Sequence, residues 1–151
     1  VYIGYISALE KLTSMAFAGS GLSIGRSYDE LVNMDTEEYY TSDAGLPEDG
    51  EPFRDYGMFS TFPASNTSQV ILISGMRDAG LMHTAQALSD NKALDDLVVA
   101  IDTDTDEALG SFEALYEVYG IDRMNFDADL VYARQLNSDQ IWGTGSTIYQ
   151  Y

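Results

Sequence analysis

The segment Ser74-Gly-Met-Arg-Asp-Ala-Gly80 follows the aliphatic run Val70-Ile-Leu-Ile73 and leads into a helical pattern carrying His83, the chain's single histidine. A turn between a strand's carboxyl end and a helix start offers free backbone N–H groups and the positive end of the helix dipole. Gly75 and Gly80 let a ligand come close to the backbone. Arg77 adds a planar cationic fork suited to carboxylate or phosphate, and Asp78 is placed to cap the helix. Gly4-Tyr-Ile-Ser7 occupies the corresponding position after the first strand pattern. If those two strands are neighbours, both turns line one crevice. Gly4, Ser7, Ser74, Gly75, Arg77, Asp78, Gly80 and His83 then form the candidate ligand-binding set, for a small molecule (an anionic one included) or a protein partner. The plain alternative is that the glycines serve tight turns, Asp78 caps, and Arg77 pairs with one of the chain's 25 acids.

Neither turn matches a nucleotide-binding fingerprint. The Gly75-to-Gly80 spacing lacks the Lys-Ser/Thr of a P-loop, and no G-x-G-x-x-G is present. An enzymatic alternative, of hydrolase or transferase type, takes Ser74 or Ser7 as nucleophile and His83 as base. Ser74 does not stand in a G-x-S-x-G elbow.

The second constellation is Asp102-Thr-Asp-Thr-Asp-Glu-Ala-Leu-Gly-Ser-Phe-Glu113. Asp102, Asp104, Asp106 and Glu113 fall at positions 1, 3, 5 and 12 of an EF-hand-like loop, where alternating carboxylates converge on Ca²⁺. Glu107 stands where that loop needs glycine for its sharp turn, and a solvated acidic loop is the plain alternative. Glu113 also belongs to a segment better read as a strand than as a helix. An acidic calcium-binding or halophilic extracellular interaction domain is the third functional reading.

These residues sit in a chain of 151 residues with 7 Lys+Arg against 25 Asp+Glu, a net charge of −18. Such a surface opposes direct nucleic-acid contact, because nothing in it neutralises a run of phosphates. Its dispersed acidity suits solubility or a salty habitat. Zero Cys excludes disulfides, thiolate nucleophiles and Cys-based metal sites. The apolar content of 45% is that of a globular chain, and the length suits one domain over residues 1–151. No apolar run approaches the ~18–20 residues of a membrane span. The chain opens at Val1 inside a strand pattern, so it reads as excised from a longer or processed protein. A cytoplasmic setting is slightly favoured and an extracytoplasmic one stays open.

The elements that must position the candidates follow from periodicity. Residues 1–5 read as a buried strand. Ser7 as N-cap and Glu10 as its capping-box partner then introduce a helix closed by Gly19-Ser-Gly21. Residues 22–26 and a two-stranded excursion over 28–42 precede an acidic, Pro- and Gly-containing loop over 43–55. Strands are expected at 56–62 and 70–75, the latter buried on both faces. Helices follow at 78–88, with Leu81, Met82, Ala85 and Leu88 as the apolar stripe, and at 92–101. Residues 112–136 read as a hairpin, followed by an aromatic tail from Gln140. The fold class is α/β, a mixed β-sheet flanked by helices with a C-terminal β-hairpin.

Tyr56–Asn66, then Val-Ile-Leu-Ile-Ser-Gly-Met-Arg-Asp-Ala-Gly-Leu-Met over 70–82, and Phe112-Glu-Ala-Leu-Tyr-Glu-Val118 carry a resemblance. They resemble uncharacterised bacterial α/β domains with an apolar strand followed by Gly-Thr-Arg-Asp-x-Gly, some sited after a helix-turn-helix module. Met76 stands where that core has Thr, and the likeness covers about a third of the chain. It implies a ligand-sensing or regulatory domain without established chemistry, and it places 112–118 in a strand.

Overall fold

In a computed structural model of the chain, two sheets lie face to face and helices cover the outer side of the larger one. The structure describes residues 1–45, 48–65, 67–101, 110–122, 124–137 and 140–141. The larger sheet contains β1 (Tyr2–Tyr5), β5 (Pro52–Ser65), β6 (Ser68–Gly75), β7 (Phe112–Ile121) and β8 (Met124–Gln135), in the order β1-β6-β5-β7-β8. β1 and β6 run parallel; the other pairings are antiparallel. The smaller sheet is the antiparallel meander β2 (Leu22–Ile24), β3 (Glu30–Asn33) and β4 (Tyr39–Thr41). The helices are α1 (Leu12–Ala18), α2 (Asp78–Ala87) and α3 (Asn91–Ile101). The mixed sheet, the helices and the β7–β8 hairpin agree with the fold class expected from the sequence.

Strand alternation divides the core. Tyr56, Met58, Phe62, Leu72 and Leu115 face the small sheet, where they meet Leu22, Leu31 and Tyr40. Phe59, Ile71, Ile73, Ala114 and Tyr116 face the other way and pack against Ala87, Leu97 and Ile101 of α2 and α3. The run Val70–Ile73 is continuous because its strand has cover on both sides. A register shift in β8 between Leu130 and Tyr132 leaves Val131 as the extra residue, so Val131 and Tyr132 both pack toward the small sheet.

Several local expectations are corrected. Ser7 does not cap a helix: it lies in a 3-10 turn over Ile6–Ala8. Glu10 then takes φ +50°, and α1 starts two residues later without a side-chain cap. The loop over 43–55 ends sooner than its composition suggests, because β5 begins at Pro52. The predicted apolar stripe of α2 is not its buried face. Ala79, Gly80, Thr84 and Ala87 are buried, and Met82 is exposed. Small residues are needed there because the helix lies almost on the sheet. A Cβ on Gly57 would stand 2.0 Å from Thr84 Oγ1, and one on Gly80 would stand 2.1 Å from the Tyr56 carbonyl oxygen.

Candidate functional site

The parallel pairing of β1 with β6 sets Tyr5 opposite Gly75, so the two turns after these strands open side by side. A hollow of about 900 Å³ lies there. Tyr5 and Ser7 line it from the first turn; Met76, Arg77, Asp78, Ala79 and Met82 line it from the second turn and the start of α2. Ser27, Tyr28 and Asp29 contribute from the segment before β3, and Ala44 and Gly45 from the loop after β4. Phe53, Asp122 and Asn125 complete the lining. Phe53, Met76 and Ala79 are buried, so the hollow has an apolar base, whereas Tyr5 and Tyr28 are partly exposed.

Three hydrogen-bonding arrangements hold this shape. Arg77 forks onto Asp29, Nε to Oδ1 at 2.8 Å and Nη2 to Oδ2 at 2.5 Å. The bond to Asp29 raises the guanidinium's pKa further, so Arg77 stays charged and paired. The Tyr5 hydroxyl donates to Asp78 Oδ1, and that bond, with the charge behind it, raises the phenol's pKa. Asp122, in the left-handed region at φ +57°, accepts the Gly50 N–H at 2.9 Å.

Beneath the hollow, Asp55 does what Asp78 was expected to do. The first turn of α2 has no side-chain cap from Arg77. Asp55, fully buried on β5, accepts the Gly80 N–H at 2.6 Å through Oδ2 and the Ser42 hydroxyl at 2.8 Å through Oδ1. A carboxylate at that place compensates the helix dipole from a distant strand. Burial pushes the Asp55 pKa up, with the bonds from Gly80 and Ser42 opposing. Ser42 N–H also donates to the Asp29 carbonyl at 2.8 Å. The loop that carries Ala44 and Gly45 is thereby tied to both α2 and the Arg77–Asp29 pair.

The candidate set therefore divides. Ser7, Arg77 and Asp78 line the hollow. Gly75 and Gly80 serve close packing: added Cβ atoms would strike the Leu81 nitrogen at 2.3 Å and the Tyr56 oxygen at 2.1 Å. A Cβ on Gly4 would meet the Tyr2 ring. Ser74 is fully buried and donates to the Met58 carbonyl at 3.3 Å. His83 stacks edge-on to Tyr116, centroids 5.3 Å apart, and burial lowers its pKa. Ser74 shares the strand face of Leu72, toward the small sheet, while Tyr116 faces the helices. Ser74 and His83, one of the two nucleophile–base pairs of the enzymatic alternative, thus lie on opposite sides of the large sheet.

The acidic loop is likewise divided. Asp102, Asp104 and Asp106 lie outside the described residues. Glu113 is a fully buried strand residue, not the entrance to a helix. Its Oε2 accepts the Ser20 hydroxyl at 2.6 Å; its Oε1 accepts the Gly21 N–H at 2.8 Å and the Tyr132 hydroxyl at 2.7 Å. Both oxygens of this expected calcium ligand accept hydrogen bonds from protein donors. Burial raises its pKa against those bonds. No group of three metal-ligating side chains occurs among the described residues, and no described helix is long and apolar enough to cross a membrane.

Sequence reasoning missed Tyr28, Asp29, Phe53, Asp122 and Asn125. Asp29 was one acid among 25, and only the tertiary fold selects it as the partner of Arg77. The turn holding Asp122 was readable, but its position beside α2 depends on strand order. Comparison of the chain with protein-family models, curated proteins and solved structures finds no match.

Proposed function

We propose that this chain is a non-enzymatic α/β module that holds a small molecule in the hollow at the carboxyl ends of β1 and β6, and that it acts as a sensing or regulatory domain. The observation that carries this reading is the hollow itself: about 900 Å³, with a buried apolar base and a rim of convergent polar groups. Small-molecule sites have that composition, and strand ends in α/β sheets are where they form. An occupant would touch segments from both sides of the large sheet's strand ends, the loop after β4 and the β7–β8 turn. Binding would draw these together, which suits a sensor. The separation of Ser74 from His83 favours binding over the hydrolase or transferase alternative.

The test is an amide-resolved NMR screen of small fragments that are neutral, cationic and anionic. The reading expects shifts clustered on Ser7, Ala44, Ala79 and Met82. Hits scattered over the surface, or none, would count against it.

A further inference from the structure

We infer that the ligand of this hollow is an organic ammonium ion: a protonated amine on an apolar body. The inference rests on the binding reading above and names the chemistry of its ligand. Among the described lining residues, three carboxylates (Asp29, Asp78 and Asp122) face one guanidinium, Arg77. Arg77 and Asp29 neutralise each other through a two-point fork. Among the described residues, Asp78 and Asp122 form no ion pair of their own; Asp78 accepts from the Tyr5 hydroxyl and Asp122 from the Gly50 N–H. An anionic occupant would meet only the guanidinium donors that the Asp29 fork leaves over, at Nη1, and would sit beside Asp29, Asp78 and Asp122. A cation meets the opposite situation and disturbs neither bond.

The aromatic lining points the same way. Tyr5, Tyr28 and Phe53 border the same space as Asp78 and Asp122. Ring faces attract an ammonium ion through their quadrupole, most strongly where water is partly excluded. Phe53, Met76 and Ala79 at the buried base supply cover for an apolar body. Carboxylates on the rim, rings beside them and an apolar base match an amine with a hydrocarbon tail, not a bare metal ion, which takes its ligands as converging oxygens. The net charge of −18 adds a long-range field that concentrates cations near the surface.

The experiment titrates three congeners of nearly equal size into the intact chain at neutral pH and low salt, following amide shifts at Ser7, Ala79 and Met82. The probes are 2-phenylethylammonium, neutral 2-phenylethanol and anionic 3-phenylpropionate. The ammonium should bind about tenfold tighter than the alcohol, with the carboxylate weakest. Asp78→Asn with Asp122→Asn keeps the oxygens that accept from Tyr5 and Gly50, and Asn tolerates the φ of residue 122. That double variant should bring the ammonium to within about threefold of the alcohol and leave the alcohol unchanged. Equal binding of ammonium and alcohol, or a preference for the carboxylate, would overturn this inference and leave the binding reading standing. Failure of all three to shift the hollow's amides would overturn both.

Discussion

Arg77, on the turn before α2, forks onto Asp29 from the segment before β3 and stands at the junction of two hollows. The larger is the candidate site; the smaller, about 510 Å³, is lined by the same pair with Ser42, Asp43 and Gly45. The pair therefore fixes the shape of the site while cancelling the cation that would otherwise invite an anion. Replacing Arg77 by Gln should release the Asp29 charge into the hollow. Affinity for 2-phenylethylammonium should then rise by about threefold, a modest gain because both side chains are partly exposed. A marked loss of ammonium binding in the same titration would show that Arg77 is an anchor and not a neutralised wall.

Gly80 and Gly57 set how closely α2 lies on the sheet. Gly80→Ala places a Cβ 2.1 Å from the Tyr56 oxygen, and that contact involves backbone on both sides. The helix has to lift, which should cost about 3 kcal/mol in urea denaturation. A loss below about 0.5 kcal/mol, the range of ordinary surface changes, would mean the approach is looser than described.

Asp55 holds the start of α2 and the loop after β4 together. Asp55→Ala leaves the buried Gly80 N–H without its acceptor and should cost about 2–3 kcal/mol. Asp55→Asn keeps one acceptor oxygen and should cost less. Amide hydrogen exchange should show the loss first at Gly80 and Ala44. Unchanged exchange at both positions in Asp55→Ala would remove Asp55 from this role.

Two buried carboxyls give the stability a direction in pH. Asp55 and Glu113 are both raised above their ordinary values of 3.8 and 4.5, chiefly by burial. Between each ordinary value and the raised one, the folded chain keeps a proton that the unfolded chain releases. Stability therefore falls as pH rises through that interval and is highest on its acid side. The urea midpoint should increase as the pH is lowered from neutrality toward the ordinary carboxyl values, and Glu113→Gln should flatten the increase. A midpoint that drops over the same range would contradict the assignment.

Much of the architecture was readable because it is encoded locally. The run Val70–Ile73 announced a strand covered on both faces, and the hairpin over 112–136 showed β-branched and aromatic residues around a turn. The adjacency of Tyr5 and Gly75 was an inference from two similar turns, and the pairing of β1 with β6 supports it. What escaped depends on contacts across long sequence separations. Asp55 caps a helix 25 residues away, and no spacing rule distinguishes it from Asp78 in the helix's own first turn. The buried face of α2 was misread because hydrophobicity marks Leu81 and Met82, whereas close approach to the sheet selects Gly80 and Thr84. Position in the acidic loop pattern singles out Glu113, but no spacing rule points to its donors Ser20, Gly21 and Tyr132.

Ser7 is the best position from which to block the hollow, because it is exposed on the first turn and lines the hollow without belonging to the core. Ser7→Trp should place an indole across the opening and leave the melting temperature nearly unchanged. In the NMR fragment screen run on both proteins, wild-type hits mapping to Ala44, Ala79 and Met82 should disappear in Ser7→Trp. The same fragments binding both proteins with equal affinity would show that the small molecule sits elsewhere.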